Sequence, residues 1–274
     1  MGTASLQTSR GARERLDEAM VERGLAESRS RAKALILARD VTVNGVVVVR
    51  AGSTVQPSDR LDLVERPRFA SRGGEKLAQA LRLFGIDVSG WVAADFGAST
   101  GGFTDCLLQA GAERVYAVDV GYGQLAERLR RDERVIVSDR TNVRFLERLP
   151  EPVDIVTIDV SFIPLNLVLP AAARVLSDAG TCVPLIKPQF EAGRRDVGRG
   201  GVVRDENVHR RVLQEVIRCA EDAGFGVRDV VRSPLRGPAG NVEFLAHLVR
   251  GEGSNGAEDV VEQAMAADEA GRGE

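Results

Sequence analysis

Two lysines and two carboxylates stand in settings that could move a proton: Lys76, Asp159, Lys187 and Glu243. An alcohol such as a sugar hydroxyl is a poor nucleophile and must lose its proton as it attacks. A lysine can take that proton if burial or a second cation lowers its pKa toward about 7–8. A second lysine supplies the repulsion, and two carboxylates orient both. Transfer then needs only an in-line approach of roughly 3 Å. This chemistry predicts no metal and no covalent intermediate. Taken singly, Lys76 is an ordinary helix lysine and Glu243 an ordinary edge-strand residue. Lys187, between Ile186 and Pro188 at the end of an apolar run, is the least ordinary.

Val92 to Phe103 offers a neighbouring ligand cradle. It runs strand, glycine-rich turn, helix start, and includes Asp95, Gly97, Ser99, Thr100, Gly101, Gly102 and Phe103. A dinucleotide loop needs G-x-G-x-x-G. Here the pattern is Asp-x-Gly-x-x-x-Gly-Gly. A carboxylate at the strand end repels a pyrophosphate and suits a cationic or amine-bearing ligand. S-adenosylmethionine, with a sulfonium, an ammonium and no phosphate, is such a ligand. The loop by itself is equally an ordinary strand-to-helix turn. Asp119, followed by Val120, lies about 20 residues on, where an acid accepts bonds from ribose hydroxyls. Asp139 falls within reach of an adenine amine, and Asp159 ends the next strand.

Positioning these residues requires an α/β sheet. Strands are predicted at 92–96, 114–119, 134–138, 153–158, 181–186, 226–232 and 241–249, with helical patterns between the first five. That alternation predicts a parallel, doubly wound sheet. Residues 233–240 are too short for a crossover helix, so the last pair should be antiparallel. Seven strands with an antiparallel last strand make a Rossmann-like methyltransferase sheet, and ligands bind at the carboxyl ends of its strands.

The 274 residues are 43% apolar and 28% charged, an ordinary globular composition. No run is long and apolar enough for a membrane span, and residues 1–10 carry no secretory signal. Cys106, Cys182 and Cys219 lack metal-ligand spacing and read as reduced core residues of a cytoplasmic protein. The net charge of −3 conceals an asymmetry. Residues 251–274 hold seven acids and one base, which leaves +3 for residues 1–250. Bases concentrate in residues 10–39 and from Arg194 to Arg211, and local basic faces attract phosphates. The glycine-rich stretch Arg194–Arg204 is a lid over the crevice or a plain surface loop.

Residues 13–64 predict two helices, a hairpin at Asn44-Gly45 and a further strand from Arg60 to Val64. Ser28 is a good cap for the second helix. The segments Arg15-Leu16-Asp17, Gly24-Leu25-Ala26, Ser28 to Ala32 and Val41 to Gly45 resemble the S4 RNA-binding domain, with Asp40 in place of a usual glycine. The resemblance implies that Arg29, Arg31 and Lys33 face RNA phosphates. Arg13 and Arg15 are further candidates, as are Arg66, Arg68 and Arg72 at the junction and Arg195 in the basic loop. The expected organisation is disorder over 1–10, an S4-like domain over 11–64, a linker over 65–75 broken by Gly73-Gly74, a catalytic domain over 76–250, and an acidic tail over 251–274 with a short helix.

Seven further segments extend the resemblance: Ser71 to Leu77, Asp95 to Phe103, Asp119 to Leu125, Arg140-Thr141-Asn142, Asp159 to Phe162, Lys187 to Glu191 and Gly240 to Glu243. Together they resemble the TlyA (hemolysin A) family, an S4 domain joined to an FtsJ-like ribose methyltransferase. The resemblance implies 2′-O-methylation of ribosomal RNA at cytidine with S-adenosylmethionine as donor; a monomer is expected. It also implies Lys187 as base, Asp159 tuning it, and Lys76 and Glu243 positioning the ribose. Pro67 stands where the family places an arginine two residues before the aromatic residue of the junction, a departure that bears on any coupling between the domains through that linker. The competing readings are an RNA-binding assembly factor with a vestigial fold, base methylation, and a membrane-active hemolysin. Asp159-Val160-Ser161-Phe162 lacks the prolines of an amine-methylating slot. No segment suits a pore.

Overall fold

A computed structural model describes residues 13–64, 67–251, 253 and 256–266. Residues 1–10, Arg66 and the tail from residue 267 lie outside the described residues. The chain divides into two compact units, Met1–Pro67 and Arg68–Glu274.

The first unit begins with β1 (Glu14–Arg15) and α1 (Leu16–Glu22). α2 (Arg29–Leu37) follows, with the Ser28 hydroxyl accepting the Arg31 N–H at its start. β2 (Val41–Val43) and β3 (Val46–Val47) form the predicted hairpin. Asn44 (φ 52°) and Gly45 (φ 80°) both take the left-handed conformation that a two-residue turn demands. β4 (Thr54–Val55) pairs with β1, and β5 (Leu61–Leu63) pairs with β2. Leu16, Met20, Ala32, Ile36, Val41 and Leu61 fill the small core.

The second unit opens with α3 (Gly73–Phe84), three residues earlier than the sequence suggests. The two glycines begin this helix and do not break it. A Cβ at Gly74 would lie 2.3 Å from the Phe69 ring, so glycine is what lets the helix start against that buried side chain. Phe69 belongs to the core of this unit, and residues 68–72 are therefore not a linker.

The chain then alternates through β6 (Val92–Phe96), α4 (Gly102–Gln109), β7 (Arg114–Val118), α5 (Glu127–Arg130), β8 (Val135–Ser138) and β9 (Val153–Ile158). The predicted helix between β8 and β9 is only a three-residue turn, Val143–Phe145. Pro150 and Pro152 leave no room to extend it. α6 (Leu169–Val175), β10 (Leu176–Ile186), α7 (Pro188–Glu191), α8 (Glu206–Asp222), β11 (Phe225–Arg232), β12 (Phe244–Arg250) and α9 (Ala257–Ala266) complete the unit.

The seven strands stand in the order β11-β12-β10-β9-β6-β7-β8. β12 runs antiparallel to both neighbours and the other pairings are parallel, as the short 233–240 connection predicts. Period-two alternation splits the sheet between two cores. Ala94, Phe96, Tyr116, Val156 and Ile158 pack under α6 and α8. Ala93, Val115, Ile155 and Val183 pack under α3 and α4. The tail helix α9 buries Val260, Val261 and Ala264, and Glu262 pairs with Arg210 of α8 at 2.7 Å. Among the described residues no helix is long and apolar enough to cross a membrane.

Candidate active site

The fold brings all four proton-handling candidates to one cavity of about 570 Å3 at the carboxyl edge of the sheet. Each comes from a different element. Asp159 follows β9, Lys187 follows β10, Lys76 lies in the first turn of α3, and Glu243 immediately precedes β12.

They form two ion pairs. Lys187 Nζ lies 2.6 Å from Asp159 Oδ1 and donates to the Val160 carbonyl (2.9 Å) and the Ser161 hydroxyl (3.1 Å). Lys76 Nζ pairs with Glu243 Oε2. Lys76, Lys187 and Glu243 are all buried, at 7%, 8% and 1% exposure. A buried charge is tolerated only with a partner, and each lysine has its own carboxylate. The sequence expectation of two adjacent lysines repelling each other is replaced by this pairing.

A second cavity, of about 480 Å3, shares Gly97, Ser99, Asp159, Ser161 and Phe162 with the first. Asp119 and Val120 line it, as do Thr141 and Asn142. Asp119 Oδ2 accepts the Ser99 N–H (2.8 Å) and Oδ1 accepts the Gly121 N–H (2.7 Å). The carboxylate is thereby fixed in the cavity wall. Gly97 (φ 85°) makes the cradle possible, since a Cβ there would stand 2.7 Å from the Asp159 carbonyl oxygen. Gly97, Ser99, Thr100, Gly102 and Phe103 all line the first cavity. Gly101 turns the chain at φ 94° as the cap residue of α4. A glycine cradle, a fixed carboxylate and two contiguous cavities fit a nucleoside-bearing donor.

Two predicted ligand contacts are placed otherwise. Asp95 has no exposed surface and lines neither cavity. It accepts the Thr104 N–H (2.9 Å) and hydroxyl (2.7 Å) and the Thr157 hydroxyl (3.2 Å). Gly101 has no side chain to cap α4, and Asp95 supplies that acceptor. Burial pushes its carboxyl up to about 7, against the lowering bonds from Thr104. Asp139 accepts from Gly123 N–H (3.2 Å) and Arg130 (3.0 Å) and also lines neither cavity. Thr141 and Asn142 occupy the wall it was expected to form.

Sequence reasoning overlooked Glu191. Its carboxylate accepts the Leu165 N–H at 3.0 Å and so holds the turn that follows Asp159. Burial pushes it up to about 7. A folded pKa above the ordinary value of 4.5 favours the protonated acid. Its contribution to stability is full below about pH 4.5 and is lost as pH rises through 7. Glu191→Gln keeps the acceptor and removes the titration. From pH 5 to 8, wild type will therefore lose roughly 1–3 kcal/mol relative to Glu191→Gln. Denaturant unfolding at both pH values measures the gap, and a constant gap refutes the assignment.

Exposed aromatics were also missed. Phe162, at φ 64° and 90% exposed, lies between the two cavities with its ring 4.9 Å from that of Phe190. Arg140 stacks over exposed Tyr122 at 4.3 Å, and Arg144 over exposed Phe145 at 5.2 Å. Large exposed aromatics are the signal, but exposure cannot be read from sequence. Gln189 Oε1 is buried in the first cavity's wall with no hydrogen-bond partner among the described residues.

The basic candidates separate into groups. In the first unit, buried Asp17 gathers Arg15 (2.9 Å), Arg29 (3.2 Å) and Lys33 (4.0 Å). Arg13 and Arg31 are exposed. In the second unit, Arg72 lines the first cavity, Arg68 stacks 4.7 Å over Phe69, and Arg195 is exposed. Of the basic loop, Gly200 and Gly201 form part of the first cavity's wall. Asn241 pins that segment by accepting the Val203 N–H (2.9 Å) and donating to the Gly201 carbonyl (2.8 Å).

An open sheet with this strand order, a glycine cradle after its central strand and an acid ending the next defines a methyltransferase-type fold, here joined to a small helix-and-hairpin unit. The S4 domain family matches residues 14–61, and the family described as FtsJ-like methyltransferase matches residues 69–250. The chain belongs to the FtsJ-like methyltransferase family. It is 45% identical to the 16S/23S rRNA (cytidine-2′-O)-methyltransferase TlyA of Mycobacterium tuberculosis, over 92% of this chain and 97% of the relative. It is 42% identical to Hemolysin A of Brachyspira hyodysenteriae, over 86% and 99%. A solved structure from Streptococcus thermophilus, carrying a hemolysin name, is 42% identical with a TM-score of 0.71, covering 96% of this chain and 99% of that one.

Proposed function

We propose that this chain methylates the 2′-hydroxyl of a cytidine ribose in ribosomal RNA, with S-adenosylmethionine as methyl donor. The observation that carries the reading is the pair of buried Lys–carboxylate contacts in a cavity continuous with the Asp119 cradle. The relative from Mycobacterium tuberculosis bears the name of that activity.

Asp119 and the Gly97–Gly102 turn would hold the donor, with Thr141 and Asn142 beside its nucleoside. When bound, the donor supplies an electrophilic methyl group. Held there, the donor would supply that methyl to a ribose 2′-oxygen aligned with it, its own carbon–sulfur bond being the one that breaks. Lys187 Nζ, once it has given a proton to solvent, takes the hydroxyl proton as the neutral amine, and Asp159 Oδ1 at 2.6 Å stabilises the ammonium that is restored. Lys76, steadied by Glu243, donates to the ribose and sets its angle. Phe162, Tyr122 and Phe145, with Arg140 and Arg144 nearby, suit the stacking of unpaired bases. The S4 unit adds phosphate contacts through Arg15, Arg29, Arg31 and Lys33, which give affinity and orientation. One copy of the chain carries every side chain this reaction needs, which fits a monomeric enzyme.

The test is to map ribose methylation on ribosomal RNA from cells with and without the protein. A 2′-O-methylcytidine present only with the protein is expected. Methylation confined to bases, or absent in both, would falsify the reading.

A further inference from the structure

Behind the turn 237–240 lies a third cavity, of about 350 Å3, that the transfer chemistry does not use. Extended backbone divides its residues between two cavities. Asn241 and Glu243 line the first, while Val242 and Phe244 line this one, because alternate side chains face opposite ways. Ala239, at the tip of the turn, lines both.

The polar wall is basic. Among the described residues, Arg204, Arg232 and Arg236 line it with one acid, Glu206. His209 adds no charge at neutral pH: burial, and after it Arg232, push it below its ordinary value, and its Nε2 lies 3.1 Å from the Val203 carbonyl oxygen. Arg236 Nη1 donates to the Gly240 carbonyl at 3.2 Å, which holds its head across the turn. The Arg204 head is exposed and has no partner among the described residues. The remaining wall is apolar, so a bound anion would be less screened than at an open surface.

We propose that this cavity binds a phosphodiester of the RNA strand flanking the nucleotide being methylated, with Arg204 and Arg236 as its main donors. The proposal rests on the RNA-methylation reading. A guanidinium presents a planar fork of N–H donors that matches phosphate oxygens. A strand whose ribose sits between Lys187 and Lys76 needs only to cross Ala239 to place a neighbouring phosphate here. The cavity is roomier than a lone phosphate requires, which suits a backbone segment. A phosphate held so close fixes the register of the strand.

The experiment uses the full chain carrying Arg204→Gln and Arg236→Gln together. Binding to a ribosomal RNA fragment is measured across a salt series. The double variant is expected to bind about 10-fold more weakly, with a log–log salt slope smaller by about 1–2. Donor affinity should not change, since both residues are exposed and outside the donor cradle, and melting temperature should fall by no more than the loss of the Arg236–Gly240 contact. Equal RNA affinity and slope in variant and wild type would overturn the proposal. So would inorganic phosphate bound by wild type alone with RNA binding unaltered, which would assign the cavity to a free anion. Failure of wild type to methylate the fragment would strike the catalytic reading instead and leave the binding slopes interpretable.

Discussion

Lys187→Ala will reduce methyl transfer by at least about 10²-fold, the usual scale for removing a positioned acid–base group. Donor affinity should stay within a factor of two or so, because Lys187 lies outside the Asp119 cradle. The variant also strips Asp159 of its partner at 2.6 Å, so charge loss and base loss are mixed in this single change. Lys187→Arg separates them. Arginine keeps the charge and the contact with Asp159 but does not give up its proton at working pH. If Lys187 only neutralises charge, the arginine variant recovers most of the activity. If it takes the 2′-hydroxyl proton, the arginine variant stays as slow as alanine. Single-turnover rates on ribosomal subunits, with calorimetry for the donor, decide between these. Near-normal turnover in Lys187→Ala would remove the base from this position altogether.

Gly97→Ala will lower stability and donor affinity together. The residue sits at φ 85°, and its Cβ would meet the Asp159 carbonyl oxygen at 2.7 Å. A left-handed alanine costs roughly 1–2 kcal/mol by itself. The close approach adds to this, because the obstacle is backbone at the end of β9 and not a flexible side chain. Relief requires the turns after β6 and β9 to separate. Asp159 N–H, which donates to the Phe96 carbonyl at 2.9 Å, then shifts, and with it the carboxylate that holds Lys187. A fall in melting temperature of several degrees is expected, with donor binding weakened about 10-fold or more. Unchanged donor affinity would show that the cradle tolerates the movement and that Gly97 serves the fold alone.

Much of this was legible in the sequence because strand-end rules are local. Apolar runs closed by Asp95, Asp119, Asp159 and Lys187 announce parallel strands with polar residues at one edge. The eight-residue 233–240 segment forces an antiparallel last strand, which carries Glu243 to that edge. Asn44-Gly45 and Ser28 dictate a turn and a cap by their own chemistry. Errors arose where glycine has two meanings. Gly73-Gly74 reads as a break, yet the pair begins α3 because Phe69 folds back against it.

Which acid lines the cavity was not legible. Asp95, Asp119 and Asp139 all stand at or just past the end of a strand and look alike in sequence. Their fates depend on groups from elsewhere: Thr104 and Thr157 enclose Asp95, Ser99 and Gly121 N–H groups aim Asp119, and Arg130 holds Asp139 aside. The pairing within the tetrad has the same character. The sequence by itself determined the residue types, the sheet and the edge at which they meet. Only the tertiary structure decided that Lys76 faces Glu243 and Lys187 faces Asp159. These partners are separated by 167 and 28 positions along the chain. A buried charge takes whichever partner the packing brings within reach, and packing is a property of the whole sheet.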